Sequence, residues 1–194
     1  MSGSQSEKNI VLSIYKDNRS VFRLRDIALM TGEENFQSLN KKINYYVRTG
    51  KLQNPRKGIY TKPNYLPEEL ACMLFTPSYI SLEYVLQKSG MVFQYDSQIT
   101  SVSYLSRTIQ VANKNYRFRK IKGSVLVNTT GIIRQTNHVN IAIAERAFLD
   151  LLYLEKEYYF DNLNPLNKEL VFRLLPLYQS KALIHRVTKL LQND

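Results

Sequence analysis

Residues 35–60, NFQSLNKKINYYVRTGKLQNPRKGIY, restrict the fold more than any other stretch of the chain. Phe36, Leu39, Ile43, Tyr46 and Val47 recur at i, i+3, i+7, i+10 and i+11, which is one apolar stripe of an α-helix. Such a stripe must be covered by other elements. At about 100° per residue, Gln37, Lys41, Asn44 and Arg48 gather on a face roughly opposite it, with Asn40 near the edge and Tyr45 beside it. Gly50 ends the helix, and Lys51 and Leu52 begin a strand. Asn54, Pro55, Arg56, Lys57 and Gly58 supply turn chemistry, and Ile59, Tyr60 and Thr61 run back as a second strand.

The residues ahead of this stretch provide the cover. Ile10, Val11, Leu12, Ile14 and Tyr15 suit one short amphipathic helix, and residues 21–24 alternate apolar and basic in an extended segment. Residues 26–30 make a second short helix that closes at Thr31 and Gly32. Helix, helix, tight turn, helix and basic hairpin is the order of a winged helix-turn-helix. Its polar face suits the DNA major groove: Gln37, Ser38, Lys41, Asn44 and Tyr45 as base readers, Arg25, Lys42, Arg48, Arg56 and Lys57 as phosphate contacts. A charged helix face is also what any solvated helix presents, and the same scaffold serves as a protein-interaction module.

Charge is distributed unevenly. The chain carries a formal +11, of which residues 1–62 hold a net +7 and residues 63–100 a net −3. A second basic block follows, with Arg107, Lys114, Arg117, Arg119, Lys120 and Lys122 and no acid over residues 101–124. A polyanion is therefore the first partner to consider. The second block reads equally as a further nucleic-acid surface or as edge strands guarded by cations against aggregation.

With 194 residues the chain has room for two small domains, expected at 1–62 and 63–194. In the second, helices are expected over 68–75, 80–86 and 145–154 and strands over 99–102, 108–111, 116–121, 125–127 and 139–143, with two closing helices parted near Pro176. The fold class is α+β: a leading winged helix, then a small mixed domain with a helical tail.

Several function classes lose their support. One cysteine, Cys72, and two histidines, His138 and His185, assemble no zinc site, and no cofactor or metal is expected. Residues 1–8 lack the apolar run of a signal peptide, and no stretch of about eighteen apolar residues is present, so a cytoplasmic protein without membrane contact is expected. There is no phosphate-binding glycine loop and no Gly-x-Ser-x-Gly elbow, and the Gly-Ser pairs at 3–4 and 123–124 lack the carboxylates of a nucleotidyltransferase. No enzyme activity is expected.

Four stretches, in order, carry a resemblance to a known family: the winged helix leading to RKGIY, then YISLEYVLQKSGMV, then the basic strands around SYLSRTIQV, then IAIAERAFLDLLYL. Over roughly residues 8–155 the chain resembles the AbiEi antitoxins of bacterial abortive-infection toxin-antitoxin systems. The resemblance implies a leading winged helix that binds operator repeats in double-stranded DNA and represses its own operon, and a following domain that counteracts a nucleotidyltransferase-like toxin without a stable complex. In the family's helix Glu145, Arg146 and Asp150 are matched. Two other readings stay open: a winged-helix scaffold that binds the toxin directly, and a transcription factor with no toxin.

Overall fold

The computed structural model describes residues 3–192. The chain divides into two compact units, one comprising Met1–Met73 with Thr136–His138 and the other Leu74–Gln135 with Val139–Asp194. The first unit thus runs eleven residues beyond the sequence-based boundary at 62 and takes in most of helix α4 (Pro67–Leu74).

The first unit contains α1 (Gly3–Lys16), β1 (Val21–Arg23), α2 (Leu24–Thr31), α3 (Phe36–Arg48), β2 (Gln53–Arg56) and β3 (Ile59–Thr61). Local chemistry sets each boundary. The Asp26 carboxylate accepts from the Arg23 backbone N–H at 2.8 Å, which starts α2. Gly32, at φ 67°, closes α2 in the left-handed region and returns its N–H to the Ala28 carbonyl. Asn35 caps α3 by accepting the Ser38 N–H at 3.0 Å.

β1, β3 and β2 form an antiparallel sheet in that order, with Val21 opposite Thr61 and Arg23 opposite Ile59. Ile10, Ile14, Phe22, Ile27, Leu39, Ile43, Tyr46, Leu52 and Tyr60 bury their side chains together between helices and sheet. Buried Glu69 on α4 accepts the backbone N–H groups of Ser20 and Val21 at the start of β1, so the carboxylate satisfies two donors that the sheet leaves open.

The second unit is built on a six-stranded mixed sheet, ordered β6-β7-β5-β4-β9-β8: β4 (Ser78–Ile80), β5 (Ile99–Ser103), β6 (Arg107–Val111), β7 (Lys114–Lys120), β8 (Ile132–Arg134) and β9 (Asn140–Ala142). β5 pairs parallel with β7 and β4 parallel with β9, and the other neighbours are antiparallel. All five residues of β5 are buried. Helices α5 (Glu83–Lys88), α6 (Gly123–Leu126), α7 (Ala144–Leu154), α8 (Lys168–Leu174) and α9 (Lys181–Gln192) complete the unit, with a 3-10 turn at Leu175–Tyr178. α7 lies at its centre, packed on α5, α8 and α9, and every residue from 145 to 152 is buried.

Two expectations for this unit need correction. Residues 125–127 are not a strand: Val125 and Leu126 return their N–H groups to the Lys122 carbonyl in one helical turn, which three apolar residues cannot be told from by pattern. Ile80 belongs to β4 rather than to a helix, because Ser78, Tyr79 and Ile80 pair with β5, and α5 starts only after Leu82 turns the chain at φ 62°. Among the described residues no helix is long and apolar enough to cross a membrane, and no group of three His, Cys, Asp or Glu could hold a metal ion.

Candidate nucleic-acid interface

α3 divides sharply into two sides. Leu39, Ile43 and Tyr46 are buried, Val47 is half-buried, and Phe36, in the first turn, leaves half its surface exposed. Opposite them Gln37, Lys41, Asn44 and Arg48 are all exposed, spread over about 16 Å of helix. None of the four makes a side-chain hydrogen bond or ion pair to a described residue. The helix holds no acid in its first turn, and Arg48 lies in its last, where a cation complements the helix dipole. Tyr45 is exposed beside this face, its ring edge-on to Tyr46 at 5.8 Å.

The other base-reading and phosphate residues expected from sequence stand in different local states. Ser38 is half-buried in the capping turn, where Asn35 takes its backbone N–H. Lys42 is drawn across to Glu33 at 2.9 Å, and this ammonium holds the Glu33 carboxyl below its ordinary value. Arg25 is exposed on α2 and has no partner among the described residues.

In the hairpin, the turn is tighter than the sequence implied. Gln53 opposes Thr61 and Arg56 opposes Ile59, so β2 carries an extra residue in a bulge that accommodates Pro55 without a ladder hydrogen bond. The Asn54 amide plugs this irregularity by donating to the carbonyls of Arg56 and Ile59 at 3.0 and 2.7 Å. Arg56 is consequently a half-buried strand residue, and the exposed tip is Lys57 with Gly58, the latter at φ 79°.

Two contacts that sequence reading did not identify tie the hairpin to α3 and the bend before it to α1. The Tyr60 hydroxyl donates to Asn40 Oδ1 at 3.1 Å, and the Tyr15 hydroxyl donates to the Lys51 carbonyl at 2.8 Å. Burial pushes the Tyr60 hydroxyl above its ordinary value, which keeps it a donor. Asn40 is thereby spoken for on one side, and the hairpin is held in register with the polar face of α3.

The second basic block does not form one surface. On β7 and its partner β6, Arg107, Lys114 and Lys120 lie on the side of buried Tyr116 and Phe118, whereas Arg117 and Arg119 lie on the other. Arg119 is paired with Glu155 at 2.7 Å, and Lys122 donates to Gln179 at 3.3 Å. β6 is an edge strand, so Arg107 fits the reading of a guarded edge.

A polar cluster lies within the second unit. Arg146 and Asp150, both fully buried, face each other at 3.4 Å on successive turns of α7. Asp150 accepts the hydroxyls of Tyr79, Ser81 and Tyr178, while Arg146 donates to Tyr79 and to the carbonyls of Val125 and Thr130. Burial raises the Asp150 carboxyl and both tyrosine hydroxyls, against which Arg146 pulls downward on each. No solvent reaches either charge, so the cluster organises the fold and offers no surface to a ligand. Glu145 is structural as well: it accepts the Asn167 N–H at 3.1 Å, steadying the residue whose side chain caps α8.

No protein-family model matches the chain, and no curated protein does. Among solved structures, the fold is similar to the crystal structure of the RV2827C protein from Mycobacterium tuberculosis, at a TM-score of 0.55 and 14% identity, covering 97% of this chain and 76% of that one. At that identity the likeness is one of fold, a mixed α+β architecture shared along nearly the whole chain.

Proposed function

We propose that the first unit is a winged helix-turn-helix that binds duplex DNA, with α3 in the major groove and the β2–β3 hairpin as the wing. The observation that carries this reading is the unpartnered face of Gln37, Lys41, Asn44 and Arg48, set beside a hairpin whose tip is Lys57. Gln and Asn amides match adenine edges, and Lys and Arg match guanine edges and phosphates. Side chains that neither pair internally nor pack are available for such contacts at no cost in broken internal bonds. Arg25, Arg48 and Lys57 would contact backbone phosphate, and Lys42 would have to exchange Glu33 for it.

On this basis, and on the sequence resemblance to AbiEi antitoxins, we assign the chain the role of an autorepressor in a toxin-antitoxin operon, whose second unit counteracts a nucleotidyltransferase-like toxin. The test is binding to a duplex drawn from the DNA upstream of its own gene, against a shuffled duplex of equal composition. The native protein should prefer the upstream duplex by at least about tenfold, and a variant with Lys41, Asn44 and Arg48 all changed to Ala should lose that preference. Equal binding to both duplexes by the native protein would reject the assignment.

A further inference from the structure

A second candidate site lies wholly within the second unit and shares no residue with α3. Between α9 and the segment that follows α7 is a cleft of about 460 Å³. α9 contributes His185 with Lys189 and Arg186 with Leu190, each pair four residues apart, so two adjacent rows of one helix face line the same wall. The opposite wall carries Lys156 and Tyr158, and Leu152 of α7 lies at the base.

The charges in this cleft are not used by the fold. Lys156, Arg186 and Lys189 make no ion pair or hydrogen bond to any described residue, although Glu157 lines the same cleft. The Nε of Arg186 is inaccessible to solvent and has no hydrogen-bond partner. With no internal acceptor, the Arg186 guanidinium is committed to nothing in the fold and its outer N–H donors remain for a ligand in the cleft.

From this geometry we infer that the cleft binds a small organic phosphate, with the phosphate group held by Lys156, Arg186 and Lys189 and a flat organic body lying on Leu152, Tyr158 and Leu190. Two ammonium groups and a guanidinium lining one cleft supply the kind of donors that a phosphate oxyanion accepts. The adjoining apolar floor requires more of the ligand than a bare ion offers. A free nucleotide and the 5′-phosphate end of a nucleic acid strand both present this chemistry.

The experiment is calorimetric titration of the full chain with adenosine 5′-monophosphate, adenosine and inorganic phosphate. The monophosphate should bind at least about tenfold more tightly than either fragment, because each lacks one half of the match. A Lys156→Ala/Lys189→Ala variant, altered only at exposed positions, should lose that preference while keeping its melting temperature. The Lys41, Asn44 and Arg48 triple alanine variant should bind the nucleotide as the native protein does, which separates this site from the DNA-reading face.

Comparing a 5′-phosphorylated with a 5′-hydroxyl tetranucleotide then identifies the source of the phosphate: preference for the phosphorylated strand over the free nucleotide indicates a strand end, and the reverse indicates a free nucleotide. Equal heats for nucleotide and adenosine, or nucleotide binding that survives the double variant, would overturn the proposal.

Discussion

Tyr60 and Asn40 show how a single hydroxyl can organise the candidate reading face. The contact joins the middle of α3 to the return strand of the hairpin, at positions twenty residues apart. Tyr60→Phe keeps the buried ring and removes only the donor, so it should cost about 0.5–1.5 kcal/mol in urea unfolding. Asn40→Ala added to it should cost less than it does alone, because the partner is already gone. Simple additivity of the two substitutions would show that the bond does not contribute. The buried pair Arg146 and Asp150 teaches a different lesson about legibility. Charged residues four apart on a helix ordinarily mark a solvated face, and the hydroxyls that enclose this pair come from Tyr79, Ser81 and Tyr178, the first of them 71 residues from Asp150. No local pattern announces such a convergence: Arg146 and Asp150 stood out through the resemblance, but their partners Tyr79, Ser81 and Tyr178 did not.

The elements differ in how clearly they were written. α3 was legible because its apolar period from Phe36 and the stop at Gly50 agree with the observed Phe36–Arg48, whereas the Asn35 cap came only from the structure. The hairpin was legible in existence but not in detail: Asn54 and Pro55 read as turn residues, yet they sit in a bulged strand, and this moved Arg56 from the tip into β2. Residues 78–80 and 125–127 were too short for period to decide between helix and strand, and tertiary pairing decided instead. The cap on α3 offers a test at this scale. Asn35→Ala should lower stability by about 1 kcal/mol and Asn35→Gly by only a few tenths, measured from urea midpoints. Because the first turn also carries Gln37, the alanine variant should bind DNA less tightly. Unchanged stability would place the start of α3 under the control of packing alone.

For the whole molecule, the sharp boundaries in charge matter more than the total. The leading region is basic, yet two of its acids are already committed: Asp17 to Arg19 through two side-chain hydrogen bonds of 2.9 and 2.8 Å, and Glu33 to Lys42. The Arg19 guanidinium holds the Asp17 carboxyl below its ordinary value. A carboxyl lowered in the folded state contributes stability above its unfolded value of about 3.9, and that contribution disappears as pH falls through the lower folded value. The native protein should therefore lose more stability between about pH 6 and pH 2 than Asp17→Asn does, read as the shift in urea midpoint. Equal losses would remove Asp17 from the acid response. The order α+β was readable from the chain as a whole, whereas the sheet order β6-β7-β5-β4-β9-β8, with two parallel pairings between strands distant in sequence, was not. Only the assembled fold shows that the second basic block is divided between two faces of that sheet.

The central claim is that the first unit grips DNA through cations left free on α3, α2 and the hairpin tip. The most direct measurement is the affinity for the upstream duplex over a salt series from about 50 to 200 mM. Neutralising about six phosphates predicts a slope near −5 in log affinity against log salt, a loss of about a thousandfold across that range, reduced by about one for each of Arg48→Ala and Lys57→Ala. An affinity that scarcely changes with salt, or a slope that neither substitution alters, would contradict the account and assign this face to a protein partner instead.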